Sequence, residues 1–218
     1  ENKELVEYLV SLGADINAVT REGKSVLMFA CKSGNKELVE YLVSLGADVN
    51  AKSKKGTTAL IEAYSRGNKD LVEYLVSKGA DVNAKSEDGE TVLMKACRSG
   101  NKDLTEYIVS LGADVNAKSE DGETALMKAC RSENKELVEY LVSLGADINA
   151  VTRDGKSVLM FACESGNKEL VEYLISKGAD VNTLIKSSII FLSDAYIHMD
   201  KKLLEYLVSI GLDINTRA

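Results

Sequence analysis

Apolar positions along this chain fall into short helical blocks, and the blocks themselves recur. Over Asn35–Leu45 (NKELVEYLVSL), Leu38, Val39, Leu42 and Leu45 stand at i, i+1, i+4 and i+7, with Tyr41 beside them. That spacing predicts one amphipathic helix. Asn35 is placed to cap it, and Glu37 puts negative charge in its first turn. A shorter block precedes it at Ser25–Ser33 (SVLMFACKS), where Leu27, Ala30 and Cys31 share a face. Ser25, or its equivalents Thr58, Thr91, Thr124 and Ser157, supplies an N-cap hydroxyl. Gly34, Gly67, Gly100 and Gly166 supply the left-handed residue that ends the short helix. Neither apolar stripe is wide enough to be buried alone, so the two helices must pack on each other and on neighbours.

The neighbours are copies. Gly13, Gly46, Gly79, Gly112, Gly145, Gly178 and Gly211 follow one another at intervals of 33 residues, and five of the seven open the sequence Gly-Ala-Asp-Val/Ile-Asn-Ala. A fixed period of this length marks a stacked repeat architecture, in which each unit buries its apolar face only against the next. Residues 1–19 form a partial unit, and full units span 20–52, 53–85, 86–118, 119–151 and 152–184. A divergent unit at 185–217, with the apolar stretch Leu184–Leu192 in place of an Asp-Gly turn, reads as a C-terminal cap or as an apolar interaction edge. Glu133 stands where other units have glycine, in a position that favours left-handed backbone. Residues 1–42 match residues 133–174 except at Glu22/Asp154 and Lys32/Glu164, the mark of a duplicated four-repeat block. A fragment of a longer array and an engineered block assembly would both leave that mark.

A 33-residue unit with a Gly-x-Thr/Ser start, an Ala-containing first helix and a GADVNA ending resembles the ankyrin repeat, and the resemblance covers essentially the whole chain. It implies a mainly α fold: a single repeat domain over 1–218, built as a curved α-solenoid of helix-turn-helix pairs with β-hairpin fingers. It also implies that the fingers and first helices line a concave surface that binds protein. The family's Thr-Pro-Leu-His start is replaced here, as in Ser25-Val-Leu-Met28 and Thr124-Ala-Leu-Met127. Loss of the proline forfeits some preorganisation, and methionine for histidine exchanges a polar tie for adaptable packing. Asn50, Asn83, Asn116, Asn149 and Asn182 resemble the substrate pattern of the asparaginyl hydroxylase that acts on such repeats, although shaping the turn is role enough for them.

On that implied surface, helical spacing predicts an exposed column from the first helices. It comprises Phe29 and Lys32, then Arg66, then Lys95 and Arg98, then Lys128 and Arg131, then Phe161. The fingers add Arg21, Glu22 and Lys24; Lys54 and Lys55; Glu87, Asp88 and Glu90; Glu120, Asp121 and Glu123; and Arg153, Asp154 and Lys156. The central repeats therefore set acidic fingertips beside a basic column, with a phenylalanine near each end. Exposed aromatics beside arginine suit an interface, whereas Glu90 and Glu123 neutralising Lys95 and Lys128 would suit a surface satisfied within itself.

Composition narrows the function classes. His198 is the sole histidine, and no nucleophile, base and anion-stabilising group recur together, so an enzyme is not expected. GNKDLVEYLVSKG carries glycines but lacks the Gly-Lys-Ser/Thr of a phosphate loop. Cys31, Cys97, Cys130 and Cys163 occupy one equivalent site in four repeats, where stacked helices stand about 10 Å apart, beyond the roughly 7 Å reach of a disulfide. They read as core residues of a reducing intracellular setting, the cytoplasm, with no metal and no cofactor expected. A net charge of −7 and the acidic fingers argue against nucleic acid, and no apolar run approaches a membrane span. The expected partner is another protein, taken by a monomer whose apolar C-terminal repeat is the edge for any self-association. The competing expectation is an engineered or purely structural array with no cognate partner.

Overall fold

The computed structural model of the chain describes residues 3–186 and 201–211. Helices dominate: α1 (Lys3–Ser11), α2 (Val26–Ser33), α3 (Lys36–Ser44), α4 (Ala59–Ser65), α5 (Lys69–Ser77), α6 (Val92–Arg98), α7 (Lys102–Ser110), α8 (Ala125–Arg131), α9 (Lys135–Ser143), α10 (Val158–Glu164), α11 (Lys168–Ser176), α12 (Thr183–Lys186) and α13 (Lys201–Ser209). The chain divides into two compact units, residues 1–92 with 111–113 and residues 93–110 with 114–218. In the first, α2 packs on α3 and α4, and α4 on α5. In the second, α8 packs on α9 and α10, and α10 on α11 and α12.

Helices this short are marginal alone, so their ends are closed by side chains. Ser25, Thr58, Thr124 and Ser157 accept the backbone N–H of Met28, Ile61, Met127 and Met160. Asn35, Asn68, Asn134 and Asn167 do the same for the second helices, accepting from Leu38, Leu71, Leu137 and Leu170. Met127 adds a polar contact that its thioether alone would not announce: its Sδ accepts the Thr124 N–H at 3.4 Å. Gly34 ends α2 at φ 75°, as the repeat pattern requires. Glu133 adopts φ 58°, the only non-glycine in the left-handed region among the described residues. Glu133→Gly is therefore expected to raise stability by about 1 kcal/mol, read as a higher urea midpoint at unchanged m-value.

Each finger is a tight turn closed by backbone. The N–H groups of Thr20, Ser53, Ser86, Ser119 and Thr152 donate to the carbonyl four residues on, at 2.9–3.0 Å. Beyond these turns the pairing among the described residues is limited to the isolated bridges Val19–Ser25 and Val151–Ser157. Successive fingers are tied by backbone bonds: Lys54 N–H to the Glu22 carbonyl and Glu87 N–H to that of Lys55 in the first unit, both 2.9 Å, and Arg153 N–H to that of Asp121 in the second, 2.8 Å. The approach is close enough that a Cβ on Gly56 would meet the Glu87 nitrogen at 2.7 Å. Glycine is the residue that fits there.

A side-chain ladder joins the loops that follow the second helices. The amide of Asn50 donates to the Gly79 carbonyl at 2.8 Å, and its Oδ1 accepts the Asp81 N–H at 2.8 Å. Asn116 repeats this on Gly145 and Asp147 at 3.0 and 2.8 Å, and Asn149 on Gly178 and Asp180 at 3.1 and 2.9 Å. The asparagines thus connect one repeat to the next as well as shaping their own turn. Asn182 differs, giving its amide to Oδ1 of its own Asp180 at 2.9 Å. Asn116→Ala forfeits two bonds between repeats and is expected to cost about 1–2 kcal/mol, measurable by urea denaturation, with a smaller loss for Asn182→Ala.

The core follows the repeat. Leu27, Met28, Ala30 and Cys31 of α2 are buried, and so are Leu38, Val39 and Leu42 of α3. All four cysteines are free and buried. Burial pushes the Cys31, Cys97 and Cys163 thiols up to about 12, so they are not thiolates near neutral pH. The expected exposed column departs from expectation at two places: Lys128 is 4% exposed and Phe161 1%. The Glu123 side chain reaches over Lys128, and Arg131 and Lys156 lie over the Phe161 ring, covering the face that helical spacing alone assigns to solvent. At the C-terminal end, residues 183–186 form α12, with Leu184 buried and the Thr183 hydroxyl between Ser157 Oγ and the Asp180 carbonyl at 2.8 and 2.7 Å. The rest of the apolar stretch to Leu192, and His198, lie outside the described residues.

Candidate protein-interaction surface

The most developed surface feature of the second unit is built by two fingers and two first helices. The turn closed by Ser119 and Glu123 lifts the Glu123 side chain over α8. There it accepts hydrogen bonds from Lys128 and, at 2.8 Å, from Arg131. Burial by itself raises the Glu123 pKa, but the two cations outweigh that and hold the carboxyl below its usual range. The Arg131 guanidinium continues over the Phe161 ring at 4.4 Å, and Lys156 Nζ lies 5.1 Å from the same ring centre. Lys156 also pairs with Glu164.

The neighbouring finger carries Arg153 and Asp154. Arg153 reaches Glu120 at 3.3 Å, an exposed pair worth little by itself. Asp154 accepts from the Thr152 hydroxyl, and that bond holds its carboxyl below the ordinary value. Around these groups lies a cavity of about 320 Å³ lined by Asp121, Glu123, Arg131, Thr152, Arg153, Asp154, Lys156 and Phe161. Seven of the eight were legible as surface candidates. Thr152 was not, although a Ser or Thr at 20, 53, 86, 119 and 152, four residues before a turn-closing carbonyl, was the available signal.

The lining is a mosaic of three cations, three carboxylates, a hydroxyl and one aromatic edge. Such a set offers hydrogen bonds and charge of both signs to a polypeptide. Among the described residues, no group of three or more His, Cys, Asp or Glu side chains is placed to hold a metal ion. No helix among them is long and apolar enough to cross a membrane.

The family model described as ankyrin repeats (3 copies) matches residues 1–86, 46–119, 93–185 and 144–218, which together span the chain. The chain belongs to the ankyrin-repeat family. Comparison with the curated proteins finds no match. Ankyrin repeats are in general protein–protein interaction modules, and the family is typically non-catalytic.

The other candidate residues of this ankyrin-repeat chain are less closely grouped. In the first unit Phe29 is 47% exposed. Arg21, Glu22, Lys32, Lys54, Lys55, Arg66, Glu87 and Asp88 are exposed. Lys24 is half-buried and pairs with Glu62 at 3.7 Å, and Glu90 is buried. In the second unit Arg98 is exposed and Lys95 half-buried.

Proposed function

We propose that the chain is one ankyrin-repeat domain acting as a non-catalytic scaffold, which takes a protein partner on its fingers and first helices. The observation that carries this reading is the Glu123–Arg131–Phe161–Lys156 cluster at the edge of a 320 Å³ cavity. Arg131 is held in place by Glu123 below and Phe161 beside it, yet its side chain remains 44% exposed. An arginine fixed in this way loses little conformational freedom on meeting a partner, a property of interface anchors. Arg153 and Asp154, both exposed on the adjoining finger, complete a surface of alternating charge. The buried, unreactive thiols fit an intracellular setting.

A purely structural array is the competing reading, favoured by the way Glu123 neutralises Lys128 and Arg131. Charge reversal separates the two. Arg131→Glu together with Arg153→Glu is expected to abolish capture of a specific protein by the immobilised chain while its helical circular dichroism is kept. Capture that survives the double reversal moves the interface elsewhere. If the unaltered chain captures no specific protein at all, the scaffold reading falls. Lys128 is unsuitable for such a test, because reversing a buried charge would unfold the repeat that presents the surface.

A further inference from the structure

Ion pairing on the fingers and first helices differs between the two units. In the second, Lys128 and Arg131 reach Glu123, Arg153 reaches Glu120, and Lys156 pairs with Glu164. Residues 119–132 and 152–165 there hold four Lys/Arg against five Asp/Glu. The matching stretches of the first unit, 20–33 and 53–66, hold six Lys/Arg against two Glu, in a chain whose net charge is −7. Lys24 is taken by Glu62 at 3.7 Å. Arg21, Lys32, Lys54, Lys55 and Arg66 are exposed, and none of them has an ion-pair partner among the described residues.

The excess is placed at particular positions. Residues 1–42 repeat 133–174 with a single reversal of charge, Lys32 for Glu164. In the second unit that glutamate binds Lys156, whereas in the first the same two positions are Lys24 and Lys32, which cannot pair. Lys54 holds the finger position of Arg153, but the residue that matches Glu120 on the preceding finger is Arg21. Backbone bonds keep these fingers together: Lys54 N–H donates to the Glu22 carbonyl, and the Lys55 carbonyl accepts the Glu87 N–H, both at 2.9 Å. Finger 53–57 thus has a finger on each side, and its charge is not that of an open end. Like charges held this close repel, and an anion from outside relieves the repulsion.

We propose that fingers 20–24 and 53–57, with Lys32 in the last turn of α2, form a docking site for an acidic segment of a partner protein. Carboxylates along such a segment pair with Arg21, Lys54 and Lys55 at the fingertips and with Lys32 behind them. The exposed Glu87 and Asp88 of the next finger close the basic patch on one side. A short acidic peptide fits inside that limit, whereas a nucleic-acid backbone continuing along the fingers would meet those carboxylates. The site extends the scaffold reading to a second place with its own chemistry, and it does not depend on the Arg131 cluster.

The test measures fluorescence anisotropy of a labelled peptide of alternating Glu and Gly, about eight residues long so that it spans two fingers, against the full chain. Binding is expected, and it should weaken as salt rises from about 20 to about 200 mM. No binding at the lower salt overturns the proposal. Lys54→Glu with Lys55→Glu should weaken binding about tenfold or more, and Lys32→Glu about threefold or more, with the helical circular dichroism unchanged. Lys54→Arg with Lys55→Arg should bind as the wild type does. Affinity that survives the Lys54/Lys55 reversal, or that survives Lys32→Glu, overturns the site as drawn. Arg131→Glu with Arg153→Glu, which tests the other surface, should leave peptide affinity unaltered; loss of binding in that variant alone would place the acidic segment on the second unit and overturn the proposal. An oligothymidylate of similar length that displaces the peptide at lower concentration would assign the patch to nucleic acid and overturn the commitment to a polypeptide.

Discussion

Phe161→Ala is expected to cost about 3–5 kcal/mol of stability, whereas Phe29→Ala should cost only about 1 kcal/mol. The two residues lie in matching sequence, SVLMFAC in both copies, so intrinsic propensity cancels in the comparison. What remains is environment. Phe161 is 1% exposed beneath Arg131 and Lys156, and its removal opens a cavity and leaves both cations without the ring. Phe29 is 47% exposed, and most of its ring gains little from folding. Urea unfolding should be fitted with a nearest-neighbour model, because repeat arrays need not unfold in one step. Equal losses for the two variants would show that burial of Phe161 does not stabilise the fold.

Glu123→Gln should cost about 3 kcal/mol, against about 1 kcal/mol or less for Arg131→Gln. Glu123 serves two cations, one of them the buried Lys128, while Arg131 is partly in water. Removing the carboxylate takes an anion from beside a buried charge, and removing Arg131 does not. The same arrangement gives an acid dependence. The folded Glu123 carboxyl titrates below its unfolded value, so its stabilisation is complete above the usual carboxylate range. It is lost as the pH falls through the depressed folded value. Asp154 is shifted in the same direction and adds to the effect. Thermal melts of the wild type should therefore drop on acidification by more than those of Glu123→Gln, and parallel pH profiles would refute the assignment.

The period and the cap residues made the helix boundaries readable with little ambiguity. Ser25, Thr58, Thr124 and Ser157 are bound to one helix position, because a hydroxyl there meets an otherwise unpaired N–H whatever lies further away. Gly34 and Glu133 likewise adopt the backbone that their place in the repeat demands. The loop asparagines were harder. Their role as a bridge to the next repeat depends on Gly79, Gly112, Gly145 and Gly178, each 29 residues away. Local turn chemistry accounts for only half of what those side chains do.

The candidate surface was legible as a set of positions and less so as a set of exposures. A helical wheel separates the face turned to the partner helix from its opposite, and on that basis Phe29 and Phe161 are equivalent. They are not equivalent in the fold, since α8 lies against α10 and its Arg131 covers Phe161. Lys128 was assigned to solvent for the same reason, and is instead buried and paired with Glu123.

The sequence alone determined the repeat, its period, the alternation of short and long helices, and the family. These follow from local hydrogen-bond satisfaction and from apolar faces too small to be buried singly. Tertiary structure decided which of several identical residues are core and which are surface, and drew Glu123, Arg131, Lys156 and Phe161 into one cluster. In a stacked array, burial belongs to the interface between repeats. A residue's fate is then set by the unit beside it, about 33 positions away, and its own sequence neighbours do not record it.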